Sequence, residues 1–369
     1  MLVLTVIFVL YFLLLIAFLI GWKDSGHAIF PQATGREPLI SVIVPVRNEE
    51  STIGNLLSTL ATQQYPNFEV IIVNDDSEDE TLWEVSQHQM KNLLVIHSAG
   101  RGKKWAIAAG VRAARGSIIV TTDADCRVSS QWLQEMRRPF RRNEVMLAFG
   151  GVRMEGDHSF FDTLQSIEFS SLIGAGASSA ALGMPTMCNG ANLAFRKKAF
   201  QQVKGYEGNL AIPTGDDEFL LRKIHQKYPA GIQFVHSPEA VVSTTPQPDV
   251  KSFFNQRIRW ASKWRDNTSI TARALAALVL LFQATFIVNW FFVFSPSILQ
   301  ALFLISVKII LEAAFLLQVC RFLDVRWNWL AFFSLQVLYP LYTLAAGVAS
   351  FFRPFEWKHR IFTPKKLFG

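Results

Sequence analysis

Asp123 and Asp125, closing the run Ile118-Ile119-Val120-Thr121-Thr122-Asp123-Ala124-Asp125-Cys126, are the side chains of this sequence best suited to hold a hard cation. Alternation along an extended segment puts both carboxylates on one side, within reach of one Mg2+ or Mn2+ or of its waters. Two surface aspartates at a strand end are common, so the pair gains meaning from its company. Upstream, Asn74-Asp75-Asp76-Ser77-Glu78-Asp79-Glu80-Thr81 crowds acceptors at another strand end, where a carboxylate can take hydrogen bonds from a base and a ribose. A turn with an N-cap accounts for Ser77 and Asp79 equally well. The loop from His97 to Ala106, with Gly100, Arg101, Gly102, Lys103 and Lys104, is basic, contains glycine and opens a helix, a setting for phosphate. It is no Walker A loop, which needs Gly at His97 and Ser or Thr at Lys104. Nor is it a dinucleotide fingerprint, which needs a third Gly at Trp105.

Further along, Met187-Cys188-Asn189-Gly190-Ala191-Asn192 is a turn of small residues and amides that suits a polar ring as well as it suits a tight turn. Thr214-Gly215-Asp216-Asp217-Glu218 gathers three acids at a helix start, where they complement the macrodipole and where a general base can be held. Gln256, Arg259 and Trp260, at i, i+3 and i+4, share one side of an amphipathic helix over 251–267. Phe253, Trp260 and Trp264 recur on a neighbouring face, as in an interfacial helix.

The elements that must position these groups read as α/β. Runs 39–46, 68–74, 92–97 and 117–122 have the pattern of buried parallel strands, with helices over 48–63, 79–90, 103–114 and 130–140 between them. Ligands of such sheets bind beyond the carboxyl ends of the strands, and Arg47-Asn48-Glu49, Asp75-Asp76-Ser77 and the aspartate pair all fall there.

The chain has 369 residues, half of them hydrophobic, with 31 Phe and 10 Trp, and this is too apolar for a purely soluble protein. Residues 1–22 lack any charged side chain and are long enough to anchor in a bilayer. They have neither the basic start nor the short apolar core of a cleaved signal peptide. The expected order is a linker over 23–38, a cytosolic α/β domain over 39–248, the interfacial helix over 249–270, membrane helices over 271–352 and a basic cytosolic tail over 353–369. Apolar runs 274–294, 298–320 and 327–352 make an odd number, which would put the tail outside against the positive-inside tendency. Pro340 is therefore expected to split the last run into a re-entrant pair of half-helices. Lys308 and Glu312, one turn apart in an apolar run, are expected to pair or to face protein. A net charge of +7 suits nucleic acid or an anionic membrane surface, and the apolar runs favour the membrane. Arg137, Arg138, Arg141 and Arg142 form either a solvated face or a lipid-headgroup contact. Cys126, Cys188 and Cys320 give neither a disulfide framework nor a zinc pattern. A transporter is disfavoured, because the charged motifs lie outside the apolar runs.

Taken in order, Val42-Ile43-Val44-Pro45-Val46-Arg47-Asn48-Glu49-Glu50, Asn74 to Thr81, Gly102-Lys103-x-x-Ala106, Asp123-Ala124-Asp125, Gly215-Asp216-Asp217 and Gln256-x-x-Arg259-Trp260 resemble the family 2 glycosyltransferases of GT-A fold. The likeness is to the membrane branch with ceramide glucosyltransferases, cellulose synthases and hyaluronan synthases. It implies a Rossmann-like nucleotide-diphospho-sugar transferase domain joined to transmembrane α-helices in a bacterial inner membrane. The implied activity is inverting transfer from a UDP- or GDP-sugar to a lipid or glycan acceptor, with processive polysaccharide synthesis as the alternative. By the same resemblance Pro45, Arg47, Glu49, Asp75, Lys103, Asp123, Gln256, Arg259 and Trp260 bind the donor. Asp123 and Asp125 hold Mg2+ or Mn2+, and Asp216 or Asp217 is the base, with the downstream pattern favouring Asp216. Ala108 departs from the family, standing where Asn is frequent.

Overall fold

The computed structural model describes residues 2–27, 30–31, 37–210, 212, 214–263, 269–358 and 360–362. Trp264 and the tail lysines Lys365 and Lys366 lie outside them. The chain forms two compact units, Asp24–Glu155 with Ser179–Thr245, and Met1–Lys23 with Gly156–Ser178 and Pro246–Gly369. The first is an α/β unit and the second is helical.

Helix α1 (Leu2–Ser25) comes first, and the α/β unit then begins with β1 (Ile40–Val46), α2 (Ile53–Ala61), β2 (Phe68–Asn74), α3 (Thr81–Ser86), β3 (Leu93–His97), α4 (Lys103–Ala113) and β4 (Ile118–Thr121). β-Branched runs make the central strands, and β1, β2 and β4 are buried almost throughout. In α2 the spacing of Ile53, Leu56, Leu57 and Leu60 puts every large apolar side chain on the buried face. After α5 (Trp132–Arg137), β5 (Leu147–Gly150), β6 (Val152–Met154) and α6 (Phe160–Ala181), the unit is completed by β7 (Leu193–Arg196), α7 (Lys197–Gln202), α8 (Asp216–Lys227), β8 (Ile232–Val235) and β9 (Val242–Thr244).

Seven strands form one sheet in the order β3-β2-β1-β4-β7-β5-β8, and β6 pairs with β9 apart from it. The four expected strands are parallel neighbours. Their registers, Val46 opposite Asn74, Asn74 opposite His97 and Ile43 opposite Thr121, bring their carboxyl ends to one edge. Beyond β4 the direction reverses, because β7 runs antiparallel to both β4 and β5.

Three expectations are corrected here. Residues 93–97 form an edge strand rather than a buried one, with Leu94 and Val95 exposed, since nothing in the sheet covers its outer side. The helices expected over 48–63 and 79–90 shrink to α2 and α3. The residues before each are spent on loop-to-loop hydrogen bonds between 48–50 and 77–81. Asp123 and Asp125 lie not on an extended strand but in a turn past β4, closed by the Cys126 N–H donating to the Asp123 carbonyl at 3.1 Å.

In the helical unit α1 and α6 are joined by α9 (Val250–Ser262), α10 (Ile270–Phe292), α11 (Ile298–Phe322), α12 (Trp329–Phe352) and a hairpin of β10 (Phe355–Trp357) and β11 (Arg360–Phe362). Four of these helices, α1, α10, α11 and α12, are long and apolar enough to cross a membrane. Leu4, Ile7, Phe8, Tyr11 and Leu15 of α1 pack with Phe282 and Phe286 of α10 and Leu304 and Ile305 of α11. Lys308 pairs with Glu312 at 2.8 Å, and Glu312 also accepts from the Tyr11 hydroxyl at 2.8 Å, so this charge pair faces protein. Pro340 does not split the last run. It is buried inside α12, which continues unbroken for 24 residues because one missing main-chain donor is tolerated among packed apolar helices.

Candidate functional site

At the carboxyl edge of the sheet, the segments leaving β1 and β2 are laced together. Arg47 is buried against the second segment, its guanidinium donating to the carbonyls of Asp75, at 2.9 Å, and Asp76, and pairing with Glu78 at 2.9 Å. Asn48 takes a left-handed φ of 51°, which its short side chain tolerates. It spans the gap, its N–H donating to Ser77 Oγ at 3.2 Å and its Oδ1 accepting the Glu78 N–H at 2.9 Å. Glu49 donates its N–H to Thr81 Oγ1 at 2.7 Å, and its carboxylate accepts from Thr52 Oγ1 at 2.9 Å. Pro45 sits opposite Val73, beyond the stretch of β1 that pairs with β4, where its missing N–H costs no bond to that neighbour. Both Asp75 oxygens accept the Gly102 N–H, at 2.9 and 3.0 Å, which ties this carboxylate to the residue that opens α4.

From the first turn of α4, Lys103 reaches into a group of acids. Its ammonium lies 2.6 Å from Asp123 Oδ1 and 3.5 Å from Asp216 Oδ2. Burial alone would lower the pKa of that ammonium, but Asp123 and Asp216 overcome the effect and raise it above the usual lysine range. Enclosure raises the Asp123 carboxyl above its ordinary value, Lys103 opposes this, and the charges of Asp125 and Asp216 reinforce it. Asp125 Oδ2 accepts from Thr244 Oγ1 at 3.1 Å. Asp216 and Asp217 open α8 behind Gly215, whose φ of 75° makes the turn that only glycine takes without strain. The Asp217 oxygens accept the N–H groups of Gly190, at 3.2 Å, and of Glu218, at 2.8 Å. Gly190 closes the group from β7's side: a Cβ there would stand 2.9 Å from Asp216 Oδ2 and 3.2 Å from Lys103 Nζ.

Among the described residues no three His, Cys, Asp or Glu side chains converge as a ready-made metal cage. The donor set still fits a hard divalent cation of the kind held by one or two carboxylates together with substrate phosphates. Asp125 and Asp216 press negative charge on Asp123, and Lys103 is the cation that faces Asp123 and Asp216.

Some positions have partners that the sequence did not assign. Lys104, next to Lys103, is buried, its ammonium bound by three main-chain carbonyls. Consecutive helical residues point about 100° apart, so Gly-Lys-Lys held the signal that the two lysines serve different neighbours. Asn192 is fully buried, donating to the carbonyls of Gly151 and Ala240 and accepting from Trp132 Nε1, so the small-residue turn is pinned across the sheet. Gln256, Arg259 and Trp260 lie on α9 in the helical unit. There the buried Arg257 stacks on Phe253 and Trp260, donates to Gln256 and pairs with Glu168 of α6. Of the arginine cluster, Arg137 pairs with Glu37, Arg138 with Glu135 and Arg142 with Glu144, while Arg141 donates to the Pro31 carbonyl.

Residues 41–204 match the sequence model of the family described as Glycosyl transferase family 2. Over that stretch, less than half of the chain, the sequence is similar to family 2 glycosyltransferases. A mannosyltransferase from Pyrobaculum calidifontis, solved in complex with GDP-Man and Mn2+, superposes with a TM-score of 0.55 at 18% identity over 94% of this chain and 97% of that one. This likeness shows the fold, a mixed α/β sheet of GT-A type with helices long and apolar enough to span a membrane. Among curated relatives, poly-beta-1,6-N-acetyl-D-glucosamine synthase of Staphylococcus epidermidis is 25% identical over 266 residues, 69% of this chain and 63% of that protein. The same synthase of Staphylococcus aureus (strain COL) is 24% identical over 264 residues, with the same shares. The chain therefore spans less than two thirds of the length of these relatives. They are polymer synthases, so the likeness to ceramide glucosyltransferases and cellulose synthases extends no further than the family.

Proposed function

We propose that the protein is an inverting glycosyltransferase that moves a sugar from a nucleoside-diphosphate sugar to a lipid or membrane-associated glycan acceptor at the cytosolic face of a membrane. The observation that carries this reading is Lys103 held between Asp123 and Asp216. The acid of the aspartate pair and a candidate base thereby share one cation at the sheet edge where family 2 domains are expected to work. Asp75, tied to the start of α4, is the base-recognising carboxylate, and Pro45, Arg47 and Glu49 shape the wall beside it. The family resemblance implies that Gln256, Arg259 and Trp260 are further donor-binding residues.

Asp123 and Asp125 would hold Mg2+ or Mn2+, which when bound neutralises the leaving diphosphate. Asp216 accepts the proton of the acceptor hydroxyl as that oxygen attacks the anomeric carbon from the face opposite the leaving group. The sugar–phosphate C–O bond breaks and the nucleoside diphosphate departs. Two main-chain N–H groups already occupy the Asp217 oxygens, which favours Asp216 for this role.

Repeated transfer to build a polysaccharide is the second reading, and the polymer synthases among the relatives favour it. A panel of nucleotide sugars offered to the protein in nanodiscs, scored for Mn2+-dependent nucleotide release with and without lipid acceptors, tests transfer. Product length separates one transfer from many. Absence of release with every UDP- and GDP-sugar would reject the proposal.

A further inference from the structure

Lys104 is a lysine that the proposed chemistry does not use, yet it is only 3% exposed. Burying an ammonium is costly unless its donors are satisfied, and here all three are. Its Nζ donates to the carbonyls of Asn209 at 3.0 Å, Ile212 at 2.8 Å and Thr214 at 2.8 Å, with the Phe219 ring 4.3 Å below. The carbonyls of Asn209, Ile212 and Thr214 thus wrap one cation. The segment they belong to ends at Gly215, and the next residue is Asp216. Lys103 and Lys104 therefore grip opposite sides of the Gly215 turn. One holds the main chain just before it and the other faces the carboxylate just after it, at 3.5 Å. The far end of the same segment is held separately, by Lys223 donating to the carbonyls of Gly205 and Glu207 at 2.7 Å each.

We propose that Lys104 is a positioning residue for the transfer reaction: by clamping Asn209, Ile212 and Thr214 it fixes where Asp216 and Asp217 stand relative to Lys103 and Asp123. The inference rests on the reading of Asp216 as base. Its physical content is that Lys104 sets the geometry of the acids, whereas Lys223 only anchors the loop.

The test compares Lys104→Met, Lys104→Gln and Lys223→Met in the full-length protein. Lys104→Met removes every donor. It is expected to lower kcat on the order of 10²-fold, the scale for displacing a catalytic group by about 1 Å. KM for the donor and the stoichiometry of Mn2+-dependent nucleotide binding stay as in the wild type. Lys104→Gln, whose amide still donates two hydrogen bonds, retains more activity, and Lys223→Met stays close to wild-type kcat. Amide exchange supplies a readout independent of turnover: residues 209–217 exchange faster in Lys104→Met, while β1, β2 and β4 do not. Unchanged kcat or unchanged exchange at 209–217 in Lys104→Met overturns the proposal, as does an equal loss in Lys223→Met. A parallel fall of kcat, binding stoichiometry and melting temperature in both Lys104 variants would show a merely structural role. If the wild type itself releases no nucleotide, the proposed function fails, and amide exchange still decides the clamp.

Discussion

Replacing Gly190 by alanine probes the packing of the acid group with a single methyl. Gly190 is not among the glycines at positive φ, so alanine suffers no backbone penalty and any effect comes from contact. The new Cβ would lie 2.9 Å from Asp216 Oδ2 and 3.2 Å from Lys103 Nζ, where ordinary contact begins near 3.4 Å. The shortfalls are 3.4 − 2.9 = 0.5 Å and 3.4 − 3.2 = 0.2 Å. Lys103 is already held 2.6 Å from Asp123, so the larger movement falls on the Asp216 carboxylate. A shift of half an ångström in a proton acceptor, set against the 10²-fold associated with about 1 Å, lowers kcat on the order of tenfold. The overpacking costs about 1 kcal/mol of stability, at the lower end for such insertions because a side-chain tip can yield. Steady-state kinetics at saturating donor, a nucleotide-binding isotherm with Mn2+ and a thermal melt separate these effects. Wild-type kcat would refute the contact geometry. Loss of nucleotide binding with kcat unchanged would mean that Gly190 faces the donor rather than the base.

Asp216→Asn is expected to abolish transfer while leaving nucleotide binding in place. If Asp217→Asn proves dead and Asp216→Asn fully active in the same assay, the base has been assigned one residue too early. Asp125→Asn is expected to abolish transfer and also to weaken Mn2+-dependent nucleotide binding, read by titration with and without chelator; equal binding in both conditions would remove Asp125 from the cation site. Burial would raise the Glu69 carboxyl, but Ser41 Oγ, the Arg115 N–H and the Arg115 guanidinium, all at 2.7 Å, bring it below its ordinary value. A depressed folded-state pKa stabilises above the unfolded value and is lost as pH falls through the folded one. Glu69→Gln should therefore cost about 2 kcal/mol at neutral pH and much less in acid, seen as converging melting curves; a constant gap would refute the linkage.

Four parallel strands and the polar groups at their carboxyl ends were legible because buried β-branched runs leave a strong pattern and because register then aligns their ends. The second half of the sheet was not. β5 and β7 contain no β-branched residue, and the pairing of β5 joins residues far apart in sequence, Ala148 with Ala194 and Gln233. Pro340 misled for a different reason. Its cost to an isolated helix is real, but burial among neighbouring helices holds α12 together, and a single sequence does not display those neighbours.

The same limit explains how the site itself was read. Residue types located the acids, and family resemblance assigned them roles, but neither says which group restrains which. Asp123 and Asp125 looked like a pair defined by strand alternation. They are instead set in a turn, where Asp123 is joined to Asp216 through Lys103 and Asp125 is bound by Thr244. That coupling arises where α4 begins: Gly102 binds Asp75, Lys103 faces Asp123 and Asp216, and Lys104 holds the chain before Gly215. Three consecutive residues thus connect the candidate base-recognising carboxylate, the candidate cation-binding acid and the segment bearing the candidate proton acceptor. A displacement of α4 would disturb all three together. Substitutions at its first turn should therefore prove non-additive with changes at Asp75 or Asp216, as expected for groups that share partners.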